Sequence, residues 1–361
     1  MSKIVFNNKN AIFYQSLKQA VDGYFIDKNL KKTGNYQLYI KTLVLVPAAL
    51  ALYVSLLHFH FAPIVGIVLS ALLGFILASI GFNIMHDACH GAYSSKKWVN
   101  ELLGLTLNAL GGNAFIWKQK HNIIHHTYTN IDGIDDDIAK APVIRQCQTQ
   151  PWKPIHRIQH FYLPLVYGIS SVAWVFVFDT VKYSQRRIYT TSLQNMYLKD
   201  HIIFWISKAL YIIFYIAIPV WAVGWQHWLV GFVSMHMVMG LTLALVFQLA
   251  HVVEETDFQV AVGNETRIEN EWAIHQVQTT ANFAPQSKII SWLVGGLNYQ
   301  IEHHLFPRIS HIHYPAISCI VKEKCKEFGV VYNELPRLDQ AIASHFRFMR
   351  ELGQRPLQEP G

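Results

Sequence analysis

Uncharged stretches divide this chain. No Asp, Glu, Lys or Arg occurs from Thr42 to His86, and none occurs from Ala209 to Val253; each gap is 45 residues long. A helix needs roughly 20 apolar residues to cross a bilayer, so each gap fits two crossing helices and a tight turn. The pattern predicts two transmembrane hairpins, over about 42–85 and 203–250. Their turns are expected at His58–Pro63 (HFHFAP) and Gly224–Trp228 (GWQHW). The second turn carries tryptophans at the level where aromatic belts sit.

Two further apolar stretches need a place. Leu102–Trp117 holds three glycines and is short for a span, whereas Phe161–Phe178 is long enough but is interrupted by Pro164 and Gly168. If one of them crossed alone, the second hairpin would carry its basic flanks on the opposite side. Parity therefore favours both lying in the interface or packing beneath the bilayer; the remaining alternative is that both cross, which would put 118–160 outside. The expected fold is an all-α integral membrane protein: four transmembrane helices in two hairpins, with a cytoplasmic helical cap built from 86–200 and 251–361. The whole of 1–361 reads as one domain. The last helix is expected over Ala341–Gly353, with Ile342, Phe346, Met349 and Leu352 on one face. The Pro- and Gly-containing tail after it is expected to fray.

Charge refines this picture. The chain has 361 residues, 52% of them hydrophobic and 15% charged, with a formal net charge of +7. The basic residues flank the apolar runs: Lys28, Lys31, Lys32 and Lys41 before the first hairpin, Lys96, Lys97, Lys118 and Lys120 after it, and Lys182, Arg186, Arg187 and Lys199 before the second. Neither turn carries one. The positive-inside rule then places both turns outside and both termini in the cytoplasm. Anionic lipid, rather than nucleic acid, is the partner this distribution suits. The first apolar run begins about forty residues in and has no cleavage signature, so it is not a secretory signal. Cys89, Cys147, Cys319 and Cys325 form no C-x-x-C and read as reduced thiols.

The candidate chemistry lies in the 19 histidines. The first uncharged run ends in FNIMHDACHG, which places His86 and His90 four apart on one helical face. In HNIIHH, His121 and His125 repeat that spacing, and on an α-helix His126 would sit about 100° round from His125. His251 ends the second gap as His86 ends the first. In QIEHH, Gln300 lies one turn before His303 and His304. All these groups fall on one side of the expected membrane. Imidazoles converging there would be costly without a cation. There is no H-E-x-x-H, which excludes a zincin, and no Glu-x-x-His, which excludes a carboxylate di-iron bundle. A histidine-rich di-iron centre using O₂ remains.

The ordered boxes H-D-x-x-H, H-x-x-x-H-H and Q-x-x-H-H on this hairpin layout resemble the membrane fatty acid desaturases. The resemblance runs from about Phe82 to Tyr314. It is supported by HHTYTNIDGIDDDI (His125–Ile138), HRIQHFYLPLVYG (His156–Gly168) and LNYQIEHHLFP (Leu297–Pro307). It implies two iron ions held by His86, His90, His121, His125, His126, His251, His303 and His304, with O₂ as co-substrate and a fatty acyl chain on CoA, a lipid or a carrier protein as substrate. Most of the wider family begins the third box with His. Gln300 in its place resembles the front-end desaturases, which insert a double bond between an existing one and the carboxyl end, for example linoleoyl to gamma-linolenoyl. Gln300 is then a weak ligand or a group just behind the ligands. Front-end enzymes of eukaryotes usually carry a fused cytochrome b5 domain with His-Pro-Gly-Gly. That segment does not occur in this sequence, so a separate ferredoxin-like or cytochrome b5-like electron donor is expected.

Other residues carry weaker readings. Asp87 is expected either to orient His86 or His90 or to be a solvated helix end. Asp132, Asp135, Asp136 and Asp137 do not match calcium-loop spacing and read as a loop that accepts hydrogen bonds from histidines or backbone. His156, His160, His311 and His313 are expected to pack rather than ligate, and His236 to be a hydrogen-bonded core histidine. Trp117 and Trp292 suit either an acyl tunnel or a membrane anchor. Related hydroxylases, ketolases and alkane monooxygenases share the boxes. A metal transporter would place its ligands near the midplane, where only His236 is available.

Overall fold

The computed structural model describes residues 3–8, 11–139, 142–261 and 265–355, and it is mostly helical. Helix Ile12–Asp27 (α1) precedes five helices long and apolar enough to cross a membrane: Tyr36–His58 (α2), Pro63–His90 (α3), Pro154–Gln185 (α4), Leu198–Val223 (α5) and Trp225–His251 (α6). The tail from residue 356 onward lies outside the described residues.

Local chemistry sets the helix ends. The Asn35 side chain accepts the Gln37 backbone N–H and starts α2, as expected of an Asn N-cap. Pro63 occupies the first turn of α3, where its missing N–H costs nothing. The first hairpin turn is therefore 59–62, inside the expected window. The second turn is shorter than expected. Only Gly224 is non-helical, at φ +81°, and Trp225–Trp228 already belong to α6. A glycine adopts that conformation without a Cβ clash, so one residue reverses the chain.

α2 begins six residues before the first uncharged gap and takes in Lys41, which is 6% exposed. Its ammonium lies 2.9 Å from Asn83 Oδ1 and 2.9 Å from His311 Nε2. Lys41 is therefore not one of the free basic flanks, contrary to the reading from charge alone.

Small residues let the helices approach. A Cβ on Gly74 of α3 would stand 2.0 Å from the Met235 carbonyl of α6, and one on Gly240 of α6 would stand 2.3 Å from the Gly168 carbonyl of α4. α4 contains the Phe161–Phe178 stretch that parity assigned to the interface. It is long enough to span, yet both its ends meet residues on the histidine-bearing side. Near its start, Gln159 Nε2 donates to the Met349 carbonyl at 2.7 Å. Near its end, Lys182 donates to Asp136 at 2.5 Å. Between them, Ser171 bonds both the ring and the carbonyl of His236 at 2.9 Å. Tyr211 reaches the other ring nitrogen of His236 at 2.6 Å. His236 is thus the hydrogen-bonded core histidine expected. The Leu102–Trp117 stretch is broken into Lys97–Gly104, Thr106–Ala109 and Ala114–Lys118, with Gly111 at φ +94° between them, and does not span.

The remaining helices build the side that holds the histidines. Gln300–Leu305 (α7) carries the third box, followed by Tyr314–Glu327 (α8) and Leu338–Leu352 (α9). Phe13, Leu17, Val21 and Phe25 of α1 pack against Ile301, Leu305 and Tyr314. A parallel pair of short strands, Lys3–Phe6 with Glu265–Ile268, ties the N-terminus to the same side. α9 starts three residues earlier than expected. Ala341, Ser344, His345, Phe348, Met349 and Leu352 are its buried positions, and Ile342 and Phe346 are only partly covered. The stripe turns because His345 enters the core: its Nδ1 bonds the Val252 carbonyl at 2.6 Å and its Nε2 meets Tyr167 Oη at 2.9 Å.

Candidate metal centre

Two of the boxes sit where a helix widens. Gly81–Met85 is a π-helical segment that runs directly into His86–His90, and Gln119–His125 is another that ends on the second box. Such segments recur at functional sites because they rephase a helix face. The α-helical spacing read for the second box needs correction for this reason. His126 donates its backbone N–H to the His121 carbonyl, so these two residues lie one π-turn apart. Their Nε2 atoms are 3.3 Å apart.

All eight box and gap-end histidines are buried and meet in one place. His86, His90, His121 and His303 form one group, His125, His251 and His304 a second, and His126 with His303 and His304 a third that joins them. Within each group the candidate ligand atoms lie within 4.8 Å of one another. Imidazole nitrogens about 2.1 Å from a shared ion lie at separations of this order.

In three of the rings the hydrogen bonds mark an outer and an inner nitrogen. His125 Nδ1 bonds Asp135 at 3.0 Å, His303 Nδ1 meets Tyr314 Oη at 3.0 Å, and His304 Nδ1 meets Gln276 Oε1 at 2.8 Å. The Nε2 atoms of these three rings have no protein partner, and the same holds for His90 Nε2 and His126 Nδ1. A buried polar atom without a partner is costly. A ring held on its outer nitrogen with its inner nitrogen unused is the arrangement of metal-ligating histidine. The residues present therefore fit a bound metal.

Burial holds His121, His126, His303 and His304 well below the ordinary histidine pKa, and the neighbouring imidazoles push them in the same direction. The neutral ring is the ligating form. Burial also raises the Glu302 carboxyl to about 7. Glu302 turns away from the rings, accepting 2.8 Å bonds from Asn282 and Tyr332 that moor the third-box helix.

The aspartate loop acts as expected. Asp135 accepts from the His125 ring and from the backbone N–H of Asn130 and Asp137, each at 3.0 Å. Lys120 pairs with Asp136 and Asp137, and Lys182 pairs with Asp136. Gln300 is 3% exposed, and its amide nitrogen lies 2.9 Å from His251 Nε2.

Asp87 does not orient His86 or His90. One residue on from His86, it lies about 100° round the helix and points away from the rings. Its carboxylate accepts from Ser310 Oγ at 2.6 Å and stands 3.0 Å from His311 Nδ1. It is 2% exposed, so it is no solvated helix end either. His156 meets the Lys153 N–H and the Pro142 carbonyl, His313 meets the Thr33 carbonyl, and His160 joins none of the groups. The Trp117 ring stacks on His121 with centroids 4.3 Å apart, while Trp292 lies over Lys41. All four cysteines are free.

Sequence reasoning missed Thr129, Asn130, Gln276 and Tyr314. Asn130 Nδ2 reaches the carbonyls of His251, Asp257 and Thr279, and Thr129 donates to Gln276 Oε1 at 2.9 Å. No spacing rule marks them: Thr129 and Asn130 follow the second box in one loop, Gln276 lies within the helix Trp272–Gln278 and Tyr314 starts α8, and the fold brings them together.

The chain can now be set beside known proteins. Residues 59–336 match the family model described as fatty acid desaturase. The chain is 37% identical to the sn-1 linoleoyl-lipid 6-desaturase of Synechocystis sp., covering 97% of this chain and 98% of that protein. It is 35% identical to the enzyme of the same name from Arthrospira platensis, over 98% and 96% of the two chains. An acyl-lipid (8-3)-desaturase of Physcomitrium patens is 34% identical over 96% of this chain and 72% of its own. With a family model covering most of its length and relatives alike almost end to end, this histidine-lined membrane protein belongs to the fatty acid desaturases.

Proposed function

We propose that this desaturase introduces a double bond into a lipid-linked acyl chain at a di-iron centre held by His86, His90, His121, His125, His126, His251, His303 and His304. The observation that carries this reading is that His125, His303 and His304 are hydrogen-bonded on the outer nitrogen and left without a partner on the inner one, within a cluster of eight buried histidines. Two irons bound there would supply the O₂-dependent removal of two hydrogens from an unactivated CH₂–CH₂ unit, with O₂, two electrons and two protons giving two waters. The protein's part is positioning and exclusion of water. Asp135, Tyr314 and Gln276 fix the rings, and Trp117 covers His121.

The substrate proposed is a linoleoyl lipid desaturated at carbon 6, the front-end reaction. Gln300 in the third box and the names of the two cyanobacterial relatives support it. Electrons come from a separate ferredoxin-like or cytochrome b5-like donor. The chain should be expressed in a host that lacks polyunsaturated lipids, fed defined fatty acids, and its products analysed by mass spectrometry. A new bond at carbon 6 of linoleate supports the reading; hydroxylated products in place of alkenes contradict it.

Gln300 is assigned beside the ligands, not among them. An amide binds iron more weakly than imidazole. Gln300→Ala should keep its iron and lose roughly 10–100-fold in activity. Iron content measured beside alkene yield checks this, and iron loss as complete as in His304→Ala would make Gln300 a ligand.

Residues 1–361 are proposed to act as one desaturase domain with four crossings, α2, α3, α5 and α6. In this reading α4 does not cross, because both its ends meet the histidine-bearing side. The termini and the histidines are cytoplasmic, as the lysine flanks suggest. In a Cys319→Ser background, Phe59→Cys and Gln226→Cys should each react with an impermeant thiol reagent added outside intact cells. Labelling of either only after permeabilisation would refute the topology.

A further inference from the structure

A cavity of about 710 Å³ opens beside the start of α2, apart from the histidine centre, with Lys41, Trp292, Ser318, Lys288 and Lys322 in its wall. Lys41 is the unusual member. It is 94% buried, and an ammonium offers three donors. Two of them are met, by Asn83 Oδ1 and His311 Nε2, and neither partner is a carboxylate. Asp87 is the acid beyond His311, and it is already engaged by Ser310 and His311. Among the described residues Lys41 forms no ion pair, and a buried cation in that position is expensive. Its remaining donor is available to whatever enters the cavity.

The other walls describe the visitor. Lys288 has no ion pair among the described residues, whereas Lys322 is paired with Glu334 at 3.0 Å. The Trp292 ring lies 5.8 Å from the Lys41 nitrogen, and Ile312 and Pro315 add apolar surface. Lys41 stands five residues into a membrane-length helix, which is the depth of lipid head groups. The volume lies within the usual range for ligand pockets of roughly 300–1,000 Å³. A cation deep inside, a second at the wall and apolar surface between them suit a group with anionic oxygens at one end and hydrocarbon at the other.

We propose that this cavity binds the phosphate head group of an anionic membrane phospholipid, with Lys41 as its deep cation. The site does not depend on which metal the histidines hold or on which acyl chain is desaturated. The test uses the full-length protein in phosphatidylcholine nanodiscs containing phosphatidylglycerol, with retained lipids counted by native mass spectrometry. Lys41→Met should lower phosphatidylglycerol retention roughly tenfold or more and leave phosphatidylcholine retention unchanged. Ser318→Trp fills the cavity from a partly exposed helix face without replacing a member of the Lys41 network, and it should have the same effect. Iron content reports that each variant is folded, and if Lys41→Met fails that control, Ser318→Trp decides. Unchanged phosphatidylglycerol retention in the folded variants overturns the proposal. Displacement of the lipid by millimolar inorganic phosphate also overturns it, since the cavity would then be a site for the free ion.

Discussion

His304→Ala is expected to abolish product formation, to below about 1% of the parent enzyme, and to empty the metal centre. His304 is completely buried and belongs to two of the three all-histidine groups. Its Nδ1 is held by Gln276 and Thr129, so its Nε2 is fixed toward the other rings. Losing a group that only orients a ligand typically costs about 10–100-fold in metal affinity or activity, and losing the ligand itself costs more. His303→Ala should behave alike, because His303 joins the first and third groups and is held by Tyr314. Metal content and alkene yield are measured together. A variant that kept its metal but lost activity would move that histidine out of the ligand set.

Asp135→Asn should weaken metal retention by about 10–100-fold while the protein still folds. The Asp135 carboxylate serves three donors at once, the His125 ring and two backbone N–H groups of the loop. An asparagine side chain has one oxygen to accept with, and its NH₂ would face a donor. Either His125 loses its acceptor or the loop loses a backbone bond. The variant should release metal to a chelator at lower concentration than the parent and regain part of its activity in excess iron. Chelator resistance equal to the parent's would show that Asp135 shapes the loop without supporting His125.

The centre was legible because it depends on periodicity. His86 and His90, and His121 and His125, are four apart in sequence, His303 and His304 follow Gln300 by three and four residues, and His251 sits where an apolar run stops. What spacing could not reveal was the local helix type. The π-turn at Gln119–His125 brings His126 over His121 by a backbone hydrogen bond that composition does not encode. The outer partners were illegible for another reason. Tyr314 follows His303 by eleven residues, and Gln276 precedes His304 by 28. Each reaches its histidine through tertiary folding, so no local pattern announces it. Asp87 shows the converse error. Its neighbour in sequence is a ring, but the helix turns it toward His311 and Ser310. Lys41 read as a free surface flank because hydropathy records charge and not burial.

The apolar helices α2, α3, α5 and α6 were equally legible from the two uncharged gaps. α4 was harder, since length and hydropathy alone make it a candidate span. Its tertiary partners, Met349 near one end and Asp136 near the other among them, bear on where its ends lie.

The most direct measurement is the metal content of purified, active protein, determined by elemental analysis and by iron-specific spectroscopy. Two irons per chain, falling with His304→Ala and retained in Gln300→Ala, is the expected result. An active preparation that contained zinc alone, or whose iron was indifferent to the loss of His303 or His304, would contradict the assignment of this histidine cluster as the di-iron centre.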